Sequence, residues 1–141
     1  MDMDKFHAIV DALIALNMDA RNRFSTCCDF SREEWAKTFC TVTCNIGRMT
    51  GNSEFIKRRA RPGDMVVVID GNVRDHLFNG INCEVATARQ INKGDVWPRF
   101  KTIYVDEPAY VFRILDLKRF YSLLADGSQE QTFVMLGTSI K

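Results

Sequence analysis

Apolar residues near the start of the chain recur with the period of an α-helix. Asp2 and Asp4 can cap the first turn and complement the helix dipole. The apolar positions that follow fall at i, i+3, i+4, i+7 and i+10, which is one stripe of a helix: Phe6, Ile9, Val10, Leu13 and Leu16. We therefore predict an amphipathic helix over residues 4–19, followed by a loop over residues 21–29.

A second helix is predicted from a capping signature at residue 31. Ser31 precedes Glu34 at capping-box spacing, and Phe30 precedes Trp35 at the spacing of a hydrophobic staple. Apolar residues then continue at helical spacing: Trp35, Phe39, Val42, Ile46 and Met49. The pattern predicts a helix from residue 31 to about residue 49, stopped by Gly51, with a short third helix starting at residue 52.

The pattern becomes that of β-strands after residue 61. Arg61-Pro62-Gly63-Asp64 is a turn signal, and residues 65–69 form a β-branched run that is too short for a helix. Further strands are predicted near residues 81–85, 100–105, 110–115 and 131–136. The segment around residues 72–79 is expected to be a loop.

The order of these elements, helices first and strands after, predicts an α+β fold. A helical N-terminal part of two or three helices (residues 1–60) would pack on an antiparallel β part (residues 61–141). The β part carries a short appended helix over residues 117–124, capped by Asp116. Because the apolar stripes of the helices need a partner, we expect the two parts to form one cooperative domain.

Residues 61–119 resemble a small SH3-like barrel of the KOW type. The matching residues are Arg61-Pro62-Gly63-Asp64 before the valine strand, Asn79-Gly80 followed by Cys83-Glu84-Val85, and the closing Arg113-Ile114-Leu115-Asp116-Leu117. The chain departs from the family in its long Asp106-Glu107-Pro108 connection and in the helix and strand after Leu117. Small barrels of this kind mostly bind RNA, DNA or protein, so the resemblance implies binding more than chemistry.

Composition narrows the class of protein. The 141 residues are 46% hydrophobic and 26% charged, with a net charge of +1, which is typical of one globular domain and excludes a strongly basic nucleic-acid domain. An acidic start argues against a secretory signal, and no run approaches the roughly 18 apolar residues of a membrane helix. Five cysteines are an odd number, which favours free thiols. We therefore expect a cytoplasmic protein with no membrane contact.

Sequence motifs for common chemistries are absent. The chain contains no G-x-x-x-x-G-K-[ST], G-x-G-x-x-G, G-x-S-x-G, H-E-x-x-H or EF-hand pattern. His7 adjoins the first apolar stripe, which favours a structural role. His76 follows Arg74-Asp75 in the predicted loop and could act as a general base with a nearby carboxylate, or be a plain polar loop residue. The candidate carboxylates are Asp70, Asp75 and Glu84.

The cysteines allow two interpretations. Cys40 and Cys44 lie four residues apart on the predicted second helix, so with Cys27 and Cys28 they could hold a zinc ion. Alternatively, the same helix presents a face of small residues that suits packing of another helix or a second chain: Ala36, Cys40, Thr43, Cys44 and Gly47. Adjacent cysteines seldom point the same way, and C-x-x-C is absent, so we favour packing and predict no metal and no cofactor.

A basic cluster and several aromatic residues are the candidate binding elements. The cluster could contact phosphates or an acidic protein, or it could be the solvated end of a helix. Trp97 beside Pro98 has the character of an interface anchor, although core packing would also account for it. The predicted binding residues are Lys57, Arg58, Arg59, Arg61, His76, Phe78 and Trp97.

These observations favour a non-enzymatic protein-binding module. The near-neutral charge supplies little of the electrostatic attraction that drives phosphate binding, which argues for a protein partner. In style, without a matching motif, the chain resembles the small inhibitors that phages and mobile elements direct against host defence complexes, anti-CRISPR proteins among them. The alternative is a nucleic-acid-binding accessory protein that uses the cluster Lys57–Arg61. A small hydrolase or nuclease built on His76 is the third possibility.

Overall fold

The computed structural model describes residues 2–23, 30–46 and 51–138. Within those ranges the chain forms seven helices and five strands. In chain order the elements are α1 (Met3–Arg23), α2 (Arg32–Phe39), β1 (Thr41–Cys44), α3 (Asn52–Arg59), β2 (Met65–Val68), α4 (Gly71–Leu77), β3 (Glu84–Thr87), α5 (Ala88–Asn92), β4 (Thr102–Asp106), α6 (Pro108–Ile114), α7 (Leu117–Leu124) and β5 (Thr132–Leu136).

The five strands form one sheet in the order β1-β5-β4-β2-β3, and every pair is parallel. Thr41 pairs with Phe133 between β1 and β5, and Met65 pairs with Ile103 between β2 and β4. The fold is therefore α/β. The prediction of an α+β fold with an antiparallel, SH3-like barrel is wrong, and so is the resemblance to the KOW type. Parallel strands need crossover helices, and helices between the strands supply them.

Helices cover both faces of the sheet. Neighbouring β2 residues point to opposite sides, because side chains alternate along a strand. Val66 and Val68 pack with α1, α3 and α4 around Phe55, whereas Met65 and Val67 pack with α2, α5, α6 and α7 around Phe120. This burial on both faces explains why β2 and β5 are buried at every position.

The second predicted helix is much shorter than its apolar spacing indicated. Its start is confirmed, since the Ser31 hydroxyl accepts a hydrogen bond from the Glu34 amide at 3.1 Å. However, α2 ends at Phe39 and the chain continues as β1. Threonine and valine favour strands, and β1 gains a ladder of hydrogen bonds from β5. The prediction of a helix reaching residue 49 is therefore wrong over residues 41–46. Residues 47–49 lie outside the described ranges.

Two other segments predicted as loop and strand are helical. Asp70 accepts a hydrogen bond from the Val73 amide at 3.0 Å and so begins α4, where a loop was expected. Pro108 occupies the first turn of α6, which replaces the strand predicted at residues 110–115. The predicted helices at residues 4–19, 52 and 117–124 are confirmed, as are the strands near residues 65–69, 100–105 and 131–136.

β1 belongs to residues 1–60 and pairs with β5 of residues 61–141, so the two predicted parts share one sheet. Every helix of the described ranges is too short or too polar to cross a lipid bilayer.

Candidate functional site

The carboxyl edge of the sheet includes the point where the strand order reverses. β3 lies on one side of β2, and β4 lies on the other side and leads on to β5. In open α/β sheets, ligands bind at the carboxyl ends of the strands that flank such a switch point. Asp70 follows β2, and Asp106 and Glu107 stand at the end of β4. This edge is therefore the candidate functional site.

Asp106 is the last residue of β4 and is only 7% exposed. Burial, and then the neighbouring charge of Glu107, raise the pKa of its carboxyl group to about 7. Within residues 2–23, 30–46 and 51–138, no side chain donates a hydrogen bond to this carboxyl group. A buried carboxylate without a donor is unfavourable unless a proton or a cation compensates it. Asp106 is thus suited to receive a cation.

Glu107 is held in a fixed position beside Asp106. It adopts the left-handed backbone conformation, with φ of 56°, which is uncommon outside glycine. Its Oε1 atom accepts a hydrogen bond from Nδ2 of Asn52 at 3.3 Å, and its Oε2 atom accepts one from the main-chain nitrogen of Thr138 at 3.0 Å. The main-chain nitrogen of Glu107 donates to the oxygen of Leu136 at 2.9 Å. The carboxylate therefore links β4 to the start of α3 and the end of β5.

Gly137 makes room for this carboxylate. Its φ is +117°, and a Cβ atom at this position would lie 2.6 Å from Cδ of Glu107. Any side chain would collide with the acidic group and would also adopt an unfavourable backbone conformation. The glycine directly after β5 is therefore part of the construction of the site.

Asn52 brings the N-terminus of α3 to the same place. It is the first residue of this eight-residue helix and is 6% exposed. The preceding Gly51 has φ of 87° and, because it lacks a side chain, does not cap the helix. The first amides of a helix lack internal partners and carry a partial positive charge, which suits an anion. The edge thus combines an acidic pair with a helix N-terminus.

The basic cluster predicted from the sequence lies away from this edge. Lys57 and Arg58 pair with Glu54 at 3.5 and 3.4 Å, and Arg59 pairs with Asp11 of α1 at 2.7 Å. Arg61 donates to main-chain oxygens at the end of α3. Because β2 begins at the amino edge of the sheet, the end of α3 lies at that edge. The cluster and the acidic pair therefore occupy opposite edges.

The carboxylates proposed for the hydrolase do not lie together. His76 is exposed on α4, Asp70 caps the start of that helix, and Asp75 pairs with Arg74 at 3.1 Å. Glu84 begins β3 at the amino edge, whereas Asp70 lies at the carboxyl edge. Among the hydrogen bonds and ion pairs of the described residues, none joins His76 to one of these carboxylates.

The two aromatic candidates are not exposed. Phe78 is 2% exposed and belongs to the core between the sheet and α4. Trp97 is half-buried against the opposite core, and its Nε1 atom is buried without a hydrogen-bond partner in the described ranges. The exposed apolar residue of that loop is Val96, at 98%.

The cysteines do not share a helix face. Cys40 follows the end of α2, whereas Cys44 ends β1, and they are buried on opposite sides of the sheet. Burial raises the pKa of the Cys40 thiol to about 11. The predicted packing face is therefore divided, with Ala36 and Cys40 in one core and Cys44 in the other. Cys27, Cys28 and Gly47 lie outside the described residues, and among the described residues no group of three or more His, Cys, Asp or Glu could hold a metal ion.

Sequence reasoning missed the residues that the carboxyl edge brings together. Asp106 and Glu107 were interpreted as part of a connection between strands, and Asn52 only as a helix start. One signal was present: two carboxylates directly follow the apolar run Ile103-Tyr104-Val105. In a parallel sheet such residues stand at the edge that binds ligands.

Comparisons with known proteins gave no match, whether with family models, with curated proteins or with solved structures. The function is therefore argued from the geometry of the site.

Proposed function

We propose that this protein binds the phosphates of a nucleoside triphosphate, together with Mg²⁺, at the carboxyl edge of its sheet. The observation that carries the proposal is the position of the acidic pair Asp106–Glu107. It ends a central strand, and Asn52 at the N-terminus of α3 contacts it at 3.3 Å. A cation ligand and an anion-binding helix terminus thus lie side by side.

Asp106 supplies the cation ligand in this proposal. Mg²⁺ is usually held by one or two carboxylates together with substrate phosphates and water. Asp106 is buried and receives no hydrogen bond from a described side chain. A bound cation would stabilise its ionised form. Glu107, whose two oxygens already accept hydrogen bonds, is better placed to orient a water molecule bound to the metal than to hold the metal itself.

The N-terminus of α3 supplies the phosphate contact. Helix N-termini that follow a glycine-containing connection from a parallel strand are common phosphate sites. Here α3 follows β1, and the connecting sequence includes Gly47 and Gly51. Phosphates at this position would face the amides of the first turn and lie next to Asp106, the proposed cation ligand.

The sequence around this helix departs from the P-loop signature in an informative way. The segment Gly47-Arg48-Met49-Thr50-Gly51-Asn52-Ser53 is similar to G-x-x-x-x-G-K-[ST], but it is one residue shorter between the glycines and has Asn52 where the signature has lysine. That lysine contacts the β- and γ-phosphates with its positively charged amino group. Without it, we infer nucleotide binding with little hydrolysis.

The protein-binding module and the nucleic-acid accessory function predicted from the sequence remain untested predictions. The basic cluster Lys57–Arg61 lies at the amino edge, so either function would use a different surface from the nucleotide. A nucleotide site at one edge is compatible with a partner at the other.

Isothermal titration calorimetry tests the proposal. MgATP and MgGTP are titrated into the protein, with the same nucleotides in EDTA as the comparison. We expect binding that depends on Mg²⁺ and is weakened about tenfold or more by Asp106→Asn, which corresponds to roughly 1.4 kcal/mol. Asp75→Asn, an exposed carboxylate of α4, is the matched control and should bind like the wild type. Absence of binding up to about 1 mM nucleotide would overturn the proposal.

Asn52→Lys provides a second test, in which nucleotide binding should become tighter instead of weaker. Restoring the cation should tighten MgATP binding and increase the release of inorganic phosphate over the wild-type level. If folded Asn52→Lys protein shows neither change, the N-terminus of α3 does not contact the phosphates.

A further inference from the structure

The outward face of α1 carries apolar residues that no described part of the chain covers. Phe6 and Val10 pack against the sheet, but Ile9 and Leu16 are 48% and 65% exposed. Three exposed alanines lie on the same face: Ala8 before Ile9, and Ala12 and Ala15 between Ile9 and Leu16. Single exposed apolar residues are ordinary, whereas a continuous stripe along a helix marks an interaction surface. We call the residues Lys5, Ala8, Ile9, Ala12, Ala15, Leu16 and Asp19 the α1 stripe.

The α1 stripe has a size pattern that complements itself. When two such helices lie antiparallel with Ala12 on the two-fold axis, Leu16 of one copy lies opposite Ala8 of the other. By the same symmetry Ile9 lies opposite Ala15. Each large side chain therefore meets a small one, which allows the knobs of one helix to enter the holes of the other.

The charges at the two ends of the stripe follow the same symmetry. Lys5 of one copy lies opposite Asp19 of the other, and the contact occurs twice. Neither residue makes an ion pair within the described ranges, and both are exposed. Like charges do not oppose each other anywhere along the stripe. The sizes and charges of these side chains thus favour one arrangement, antiparallel about Ala12, and one partner, a second copy of this chain.

We propose that two copies of this chain associate through an antiparallel pairing of their α1 stripes. The interface is isologous, because the same surface is used by both copies. Its length from residue 5 to residue 19 is about 21 Å at 1.5 Å per residue, which is small compared with a standard protein interface. The dimer is therefore weak and forms only at high protein concentration. This proposal is independent of the nucleotide site.

Sedimentation velocity of the full chain over a wide concentration range, from about 5 to 500 μM, tests the pairing. The wild type should shift from monomer to dimer across this range, and Leu16→Lys should remain monomeric. Val96→Lys is the matched control: it removes an exposed apolar residue elsewhere on the surface and should dimerise like the wild type. A wild type that stays monomeric throughout overturns the proposal and assigns the stripe to another partner.

Charge exchange identifies the arrangement. Lys5→Glu alone and Asp19→Lys alone should each weaken the dimer several-fold at low salt, because each brings like charges together. The double variant Lys5→Glu/Asp19→Lys should restore wild-type association. Dimerisation without this restoration would show that the helices do not pair about Ala12. Circular dichroism of each variant confirms that α1 is intact.

Discussion

The buried guanidinium group of Arg21 donates a hydrogen bond of 3.0 Å to the main-chain oxygen of Gln131, the residue that directly precedes β5. The same nitrogen donates to the oxygen of Gln129 at 3.0 Å, and Nη2 donates to Oγ1 of Thr132 at 3.2 Å. Arg21 is 1% exposed. A charged side chain of the first helix thus satisfies buried main-chain groups at the start of the last strand.

Replacement of Arg21 by alanine should be strongly destabilising. It leaves buried carbonyl oxygens without donors and opens a cavity, so we expect a loss of about 3–5 kcal/mol in the free energy of unfolding. Urea denaturation followed by circular dichroism measures this loss. Arg23→Ala, an exposed position on the same helix, should change stability by less than about 0.5 kcal/mol. A loss below about 1 kcal/mol for Arg21→Ala would contradict this interpretation of the contact.

The isolated fragment 61–141 should not fold into a stable monomer. It lacks β1, so the edge of β5 is exposed, and it lacks α1, α2 and α3, so both faces of the sheet lose cover. Exposed strand edges and apolar faces favour aggregation. We expect the fragment to be insoluble or to show no cooperative thermal transition in calorimetry. A soluble monomer as stable as the whole chain would show that the two parts are independent.

The stability of the protein should depend on the titration of Asp106. The pKa of this carboxyl group is raised from an ordinary value of 3.8 to about 7 by burial and by Glu107. Between these two values the folded state holds a proton that the unfolded state has released, so stability falls as the pH rises through this window. Below the window both states are protonated and the penalty is absent.

Asp106→Asn removes this pH dependence. The variant should match the wild type near pH 4 and exceed its stability by about 2–4 kcal/mol at pH 8. Chemical denaturation in EDTA at both pH values measures the difference. If the free energies of unfolding of the two proteins change with pH in parallel, the assignment of this pH dependence to Asp106 is wrong.

Gly137→Ala should displace the Glu107 carboxyl group in addition to straining the backbone. The new Cβ would stand 2.6 Å from the Glu107 carboxyl carbon, and φ is +117°. Gly63→Ala is the control, because its φ is +93° and no atom lies within 4 Å of the added Cβ. Both variants should lose about 1 kcal/mol or more from backbone strain. Only Gly137→Ala should also weaken MgATP binding; equal binding by both variants would contradict the role of Gly137.

The basic cluster should contribute to association and little to folding, with one exception. Lys57, Arg58 and Arg61 are exposed, so their replacement by glutamine should change stability by less than about 0.5 kcal/mol. Arg59 joins α3 to α1 through Asp11, and Arg59→Gln should lose up to about 1 kcal/mol. Fluorescence anisotropy with labelled single-stranded DNA then asks whether the triple variant loses affinity at low salt. Unchanged affinity would contradict a role of the cluster in nucleic-acid binding.

Sequence patterns located most elements but gave the wrong strand direction. The runs at residues 65–69 and 133–136 are continuously apolar, which is typical of strands covered on both faces. This signal favoured a parallel sheet. However, with β1 predicted as helix and α6 as strand, the predicted elements show no alternation of strands and helices.

The error at β1 has a physical cause in tertiary structure. Val42 and Ile46 continue the helical spacing of Trp35 and Phe39, so the local pattern permits a helix. The choice is made by pairing with β5, which is distant in sequence. Local periodicity contains no information about such a partner.

The candidate site was invisible for a related reason. Asn52, Glu107 and Thr138 come from three separate connections and meet only because their strands end at one edge. The order of the strands has to be known before these residues can be grouped. Motif searches inspect contiguous residues and therefore could not find them.

The pairing of β1 with β5 also affects how the protein is made. Thr41 finds its partner only when Phe133 has left the ribosome, so the described sheet cannot be completed before residues 132–136 have emerged. Until then the nascent chain carries a short β-branched segment with unpaired main-chain groups and a helix whose buried arginine has no acceptors. Distant pairings of this kind slow folding and lengthen exposure to chaperones and proteases. Codon choice and growth temperature should consequently influence the soluble yield of this protein more than that of a domain built from local contacts.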